Sequence, residues 1–303
     1  MRRIPYFLVD VFTQSPFGGN QLAVISKGDL VREEEMTQIA REFNLSETTF
    51  IYSPENEDHN ARVRIFTPGQ ELPFAGHPTL GTAFVIARDI DYKPEDKILT
   101  VFLEEKVGTI RVDIDIQNGA PEMLVMTQPL PTFGNQLTDI ALLAELLSLK
   151  ESDFLPNYSP QTVSCGVPYL ITPLKSLDAV RKIKFRSDVW EKVVQKYNPG
   201  WIYPFAMGGD DIESHVHGRM FAPEAGIVED AATGSANGPL GCYLVQHKLR
   251  NTGKKTKIIS EQGYEMGRPS KLYLEIERSE TAITQVKVGG YCVFMGQGQL
   301  FLP

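Results

Sequence analysis

The stretch RIFTPGQELPFAGHPTLG, Arg64 to Gly81, is answered far downstream by RMFAPEAGIVEDAATGSANGPLG, Arg219 to Gly241. Both open on Arg, an apolar residue, Phe, a small residue and Pro. Both then pass an acidic residue and a small-residue turn before reaching Leu-Gly. The paired arginines stand 155 positions apart and the paired Leu-Gly steps 160. The surroundings match in the same order. MTQIAREFN (Met36 to Asn44) and DVWEKVVQKYN (Asp188 to Asn198) both have helix spacing and end in Asn, and each leads into a β-rich run, TTFIYSP or GWIYPFAM. ILTVFLEEKVGTIRVDI is matched by IISEQGYEMGRPSKLYLEI. An ordered set of matches reads as a duplicated domain, with a period far too long for a solenoid.

The pattern inside each copy predicts its architecture. TLGTAFVIA, Thr79 to Ala87, carries no charge on any side, so it is predicted to be a helix buried all round. GTIRVDIDI and KLYLEIE alternate as half-buried strands do. The expected fold class is α+β: two pseudo-symmetric domains, each a curved, mixed, barrel-like β-sheet wrapped around a central α-helix. The turn chemistry of DIQNGAPE, Asp115 to Glu122, sets the expected boundary, giving domains at 1–118 and 119–290, with a strand over 291–303 rejoining the first. The two Gly-rich turns open the two central helices, so both helix N-termini are expected at a cleft.

Composition narrows the function. A chain of 303 residues accommodates two ordinary domains. A net charge of −8 argues against a nucleic-acid-binding face. Three scattered cysteines, Cys165, Cys242 and Cys292, give no disulfide framework and suggest a reducing compartment. No apolar run approaches a membrane span, and Asp10 interrupts the short apolar run at the N-terminus. The expected location is cytoplasmic.

A helix N-terminus offers free N–H groups and partial positive charge, and so a site for an anion. ATGSANG, Ala232 to Gly238, is small enough for a ligand carboxylate to approach the backbone at Gly234, and Ser235 adds a hydroxyl. The bland alternative is that these small residues only let the helix enter a tight space. Gly76 opens the partner turn FAGHP, followed by His77 in the first helical turn. There a helix N-terminus disfavours protonation, and neutral His77 either hydrogen-bonds a substrate or satisfies a buried turn. Asp230 just precedes the second turn, to orient a substrate or to cap the helix.

Taken together, FGGNQLAVI, FNLSETTFI, RIFTPGQELPFAGHPTLG, EDAATGSANG and EQGYEMGRPSKLYLEI resemble the phenazine-biosynthesis PhzF-like family, from near residue 7 to the C-terminus. Its fold is that of diaminopimelate epimerase. The resemblance implies isomerisation of a small carboxylate-bearing substrate, without a cofactor or metal, at a site between two similar domains. It places the Glu of NLSET, here Glu47, as general acid/base, and puts the residues corresponding to His77 and Asp230 in the active site. Asn20 is carried over as a substrate contact, although Gln21 replaces the family's usual Pro. Epimerase relatives use a cysteine at each Gly-rich turn. Here Ala75 and Ala231 or Ala232 stand there, so a two-thiol mechanism is out of reach.

The expected partners are a small anionic substrate and neither nucleic acid nor membrane; a homodimer is allowed for. A binding or scaffold protein that has lost catalysis is the second reading. His215 and His217, two apart with Asp210, Asp211 and Glu213 nearby, have spacing seen in metal sites, but no third ligand is specified and a solvated strand edge is preferred.

Overall fold

The computed structural model describes residues 1–88, 97–250 and 253–303. Contacts divide it into two compact units. The first holds Met1–Thr127, Glu224–Gly226 and Val288–Pro303; the second holds Gln128–Pro223 and Ile227–Lys287.

The first unit runs β1 (Arg2–Val11), β2 (Asn20–Ile25), α1 (Glu33–Phe43), β3 (Glu47–Tyr52), β4 (Ala61–Phe66), β5 (Glu71–Leu72), α2 (Gly76–Arg88), β6 (Ile98–Glu105), β7 (Gly108–Gln117) and β8 (Ala120–Gln128). Asn118 and Gly119, both with positive φ, turn β7 into β8 within this unit. The pairings run β1–β2–β3–β4–β6–β7–β8, parallel at β2–β3 and β4–β6 and antiparallel elsewhere. The chain's last strand pairs with both β1 and β8, so the curved sheet closes on itself. The ring encloses α2, whose residues Gly76 to Val85 are all buried. Helix α1 lies outside it. Its first turn carries Glu33, Glu34 and Glu35, the favourable sign for that end. It ends at Asn44, whose left-handed φ of 50° suits a short polar side chain, and Met36 and Ile39 pack with Ile4, Ile25 and Phe50.

The second unit runs β9 (Thr132–Gln136), α3 (Ala141–Leu147), β10 (Gln161–Ser164), β11 (Pro168–Pro173), α4 (Leu177–Arg181), α5 (Ser187–Tyr197), β12 (Trp201–Met207), β13 (Val216–Gly218), β14 (Met220–Ala222), β15 (Ile227–Asp230), α6 (Gly234–Gln246), β16 (Lys255–Gln262) and β17 (Ser270–Arg278). The final strand β18 (Ile283–Leu302) begins here and continues into the first unit. The order β9–β10–β11–β12–β13–β16–β17 is parallel at β11–β12 and β13–β16. Helix α6 is buried from Gly234 to Val245 and packs on β10, β11, β16 and β17. The outer helix α5 ends at Asn198, again left-handed, and its Val189 and Trp190 join a core with Leu143, Ile202 and Phe221.

The expected α+β class, with a curved mixed sheet about a central helix in each unit, is the one observed. The phrase written twice has a physical content in both units. Arg64 on β4 grips Glu71 of β5 through two bonds of 2.8 and 2.9 Å, and Arg219 grips Glu229 of β15 through two of 2.7 Å. Each guanidinium also lies 5.1 Å from the ring two residues on, Phe66 or Phe221. This brace precedes the turn that starts the buried helix.

The Leu-Gly step answers to close packing. A Cβ on Gly81 would sit 2.5 Å from Leu22 Cδ2 and 2.9 Å from Val11 Cγ2, and one on Gly241 2.9 Å from Ile276 Cδ1. Gly81→Ala is expected to destabilise the protein by about 1–3 kcal/mol, because overpacking outweighs alanine's better helix propensity. Urea unfolding of the variant measures this, and a variant as stable as wild type would contradict the close approach.

Candidate active site

Glu47 opens β3 because the chain leaves α1 at the left-handed Asn44 and enters the sheet three residues later. Parallel pairing sets Glu47 level with Leu22, two residues along β2 from Asn20. Gly81 lets α2 approach these strands, and the hydroxyls of Thr49 and Thr82, 2.9 Å apart, tie β3 to α2. The first turn of α2 thereby delivers His77 to the same place. Glu47 is 6% exposed and His77 2%. His77 Nε2 lies 3.3 Å from Glu47 Oε2, and His77 Nδ1 lies 3.1 Å from the Asn20 amide nitrogen. Burial holds the His77 pKa down to about 3, against an opposing hydrogen bond with the Gln21 backbone. The imidazole is therefore neutral at physiological pH, and its contact with Glu47 is not an ion pair.

The corresponding turn of the second unit carries Asp230, Gly234 and Ser235. Asp230 ends β15, 2% exposed, and its carboxylate accepts from Thr233 Oγ1 at 2.6 Å. Gln262 braces the turn: its Oε1 accepts from Thr233 N at 3.0 Å and its Nε2 donates to the Asp230 carbonyl at 2.8 Å. Ser235 Oγ shares a 2.7 Å hydrogen bond with Tyr169 Oη, and the Gly234 carbonyl accepts from Gln128 Nε2 at 2.9 Å. The structure thus groups Asn20, Glu47, Gly76 and His77 in the first unit, and Asp230, Gly234 and Ser235 in the second. The residues passed over in the sequence are the supports: Thr233, Gln262, Tyr169 and Gln128. Polar residues in isolated strand or loop positions carry no motif.

His215 and His217 do different work from each other. His215 Nδ1 accepts from Ile259 N. His217 lies between carboxylates, with Nδ1 3.1 Å from Glu261 and Nε2 3.0 Å from Glu265. Atoms of Asp210, His217 and Glu261 fall within 4.8 Å of one another. Both oxygens of Glu261 already accept backbone N–H groups, from Asp210 and Asp211. With a carboxylate at each ring nitrogen, the group held there is an imidazolium. Burial works against its charge, but the bonds to Glu261 and Glu265 prevail and raise the pKa to about 9.

A family model described as "Phenazine biosynthesis-like protein" matches residues 9–298. The trans-2,3-dihydro-3-hydroxyanthranilate isomerase of Pseudomonas chlororaphis is 36% identical over 300 residues, covering 98% of this chain and 99% of that one. Among solved structures, a phenazine biosynthesis protein of the PhzF family from Bacillus anthracis superposes with a TM-score of 0.88 at 27% identity, over the full length of both chains. A hydroxyproline epimerase from Agrobacterium vitis shares the fold, with a TM-score of 0.69 at 12% identity over 99% of this chain and 91% of that one. The chain belongs to the phenazine biosynthesis-like, PhzC-PhzF family. It is by class an isomerase. No helix among the described residues is long and apolar enough to cross a membrane.

The His217 cluster makes a pH prediction. The folded pKa lies above the ordinary value of 6.5, so the stabilisation is complete below pH 6.5 and is lost as pH rises through about 9. Wild type minus His217→Gln, compared by urea unfolding from pH 6 to 10, should show a stability difference that shrinks with rising pH by roughly 3 kcal/mol. A constant difference would mean that His217 is not a buried cation.

Proposed function

We propose that the protein isomerises a small unsaturated carboxylate by moving one proton, with Glu47 as the carrier. The observation that supports this most is the 3.3 Å approach of Glu47 Oε2 to a buried, neutral His77. The relative's substrate, trans-2,3-dihydro-3-hydroxyanthranilate, or another cyclic unsaturated acid of that kind, suits such a group. Ionised Glu47 takes a proton from a carbon activated by the adjacent unsaturation. The electron pair shifts along the conjugated system, and protonated Glu47 returns the proton to a second carbon on the same face. The double bond moves, nothing is oxidised, and no cofactor is called on.

In this reading the Asn20 amide donates to His77 Nδ1, which leaves the ring proton on Nε2 toward Glu47. At 3.3 Å no hydrogen bond has formed between the two atoms, and a neutral ring there does not fix the carboxylate's charge, as an imidazolium would. In the first unit the amide at Gly76 is offered to the substrate's carboxylate and Asn20 contacts the substrate; in the second unit the amides of Gly234 and Ser235 offer an anion site of their own, with Asp230 to orient what binds there.

Glu47→Gln keeps size and hydrogen bonding but removes the titrating proton. It should lower turnover and solvent-deuterium uptake into trans-2,3-dihydro-3-hydroxyanthranilate, or into the best substrate of a panel of unsaturated cyclic acids, by on the order of 10²–10⁴. The fold and ligand affinity should be kept. Near wild-type exchange in this variant would move the proton carrier elsewhere, and binding without any exchange in wild type would favour a binding protein. Crystals soaked in sulfate should show the anion on the amides of Gly234 and Ser235; sulfate bound elsewhere, with that turn empty, would count against the anion reading.

A further inference from the structure

Glu105 ends β6 on the inward face it shares with Val101 and Leu103, opposite Gly108 of β7. It is 7% exposed, and its Oε2 makes no hydrogen bond. Its Oε1 lies 2.5 Å from Thr79 Oγ1, in the first turn of α2. The same hydroxyl lies 2.7 Å from the carbonyl of Ala75, which Thr79 N also approaches at 3.3 Å.

A hydroxyl has one proton to give. If Thr79 directs it to the Ala75 carbonyl, the group facing Thr79 from β6 must be a donor, which makes Glu105 a carboxylic acid. The other assignment leaves a buried carboxylate with a single hydrogen bond, a costly state. Among the described residues no cation facing Glu105 offsets that cost. Just past β6, Lys106 binds Glu71, while on β6 Glu104 accepts from Glu55 and Asn56 amides and meets His59. On α2, Arg88 stacks on Phe294 and His77 is neutral. On β4, Arg62 covers Tyr52 and Arg64 binds Glu33 and Glu71; on β7, Arg111 binds Asp113. Burial raises the Glu105 pKa to about 8, the Thr79 bond opposing.

We propose that Glu105 is a positioning residue held as a neutral acid: it donates to Thr79, Thr79 donates to the Ala75 carbonyl, and this relay sets the turn that carries Gly76 and His77. In a trans peptide the carbonyl and the following N–H point opposite ways. Holding the Ala75 carbonyl toward Thr79 therefore turns the Gly76 N–H out of the helix start. A neutral acid also adds no negative charge behind a turn meant for an anion. Loss of the Glu105 proton reverses the Thr79 hydroxyl and leaves the Ala75 carbonyl to the longer 3.3 Å bond from Thr79 N. The protonated site carries a stability cost. The folded protein keeps a proton that the unfolded chain loses above about 4.5, so stability falls as pH rises from there to about 8.

The role rests on the reading of Glu47 and His77 as the site, but its test does not need turnover. The full chain, labelled with ¹³C at glutamate and ¹⁵N at histidine, is titrated by NMR from pH 5 to 10. Glu105 is expected to titrate near 8, and the His77 ring signals, from a group that does not itself titrate there, should shift in the same step. Glu105→Gln, an isosteric donor, should abolish that step and raise the melting temperature at pH 8. Thr79→Val should keep the Glu105 step and uncouple His77 from it. A His77 step that survives Glu105→Gln and disappears in Glu47→Gln belongs to Glu47, which keeps the two readings apart. Glu105 titrating in the ordinary carboxylate range, or His77 signals unmoved through its step, would overturn the proposal.

Discussion

The close approach of an apolar helix to the strands around it is the constraint on which the rest depends. At Gly81 and Gly241 there is no room for a Cβ, since neighbouring side-chain atoms would lie within 3 Å of it. A helix set so deep must be apolar all round, and its first turn starts inside the protein. Whatever accompanies that turn is desolvated with it. His77 is neutral for this reason, and it meets Glu47 because the parallel β2–β3 pair lies against the same helix.

Burial alone does not decide the charge of a group. His77 and His217 are both buried, and their pKa values move in opposite directions. His77 meets an amide and one carboxylate, and desolvation wins. His217 has a carboxylate at each nitrogen, and the hydrogen bonds win. Glu105, with one hydroxyl and no cation, joins His77 on the neutral side. Two neutral groups thus flank the first turn of α2, while the buried cation belongs to a brace between β13 and β16.

The repeated Arg-x-Phe-x-Pro phrase fits the same logic. A guanidinium forked onto a carboxylate and laid over a ring fixes the short hairpin that precedes each buried helix. The hairpins β4–β5 and β14–β15 are too short to hold their own position, and the brace supplies what strand length does not.

Much of this was legible in the chain itself. The duplication, the uncharged central helices, the alternating strands and the Asn residues that end α1 and α5 are periodicities and local conformational preferences, and local rules suffice to read them. The family phrases singled out Glu47, His77 and Asp230, but without them Glu47 is one more Glu after a helix. That it is buried and faces His77 follows from parallel pairing and from the fit of a helix against a sheet, which bring together residues 30 positions apart. The partners of His217 were hidden for the same reason, since Glu261 lies 44 residues on. Glu105 had a local signal, the alternation of FLEEKVG that sets it in line with Val101 and Leu103, but alternation says only that a side chain points inward. Whether a buried acid keeps its proton depends on what meets it there, and only the packing of α2 against β6 decides that.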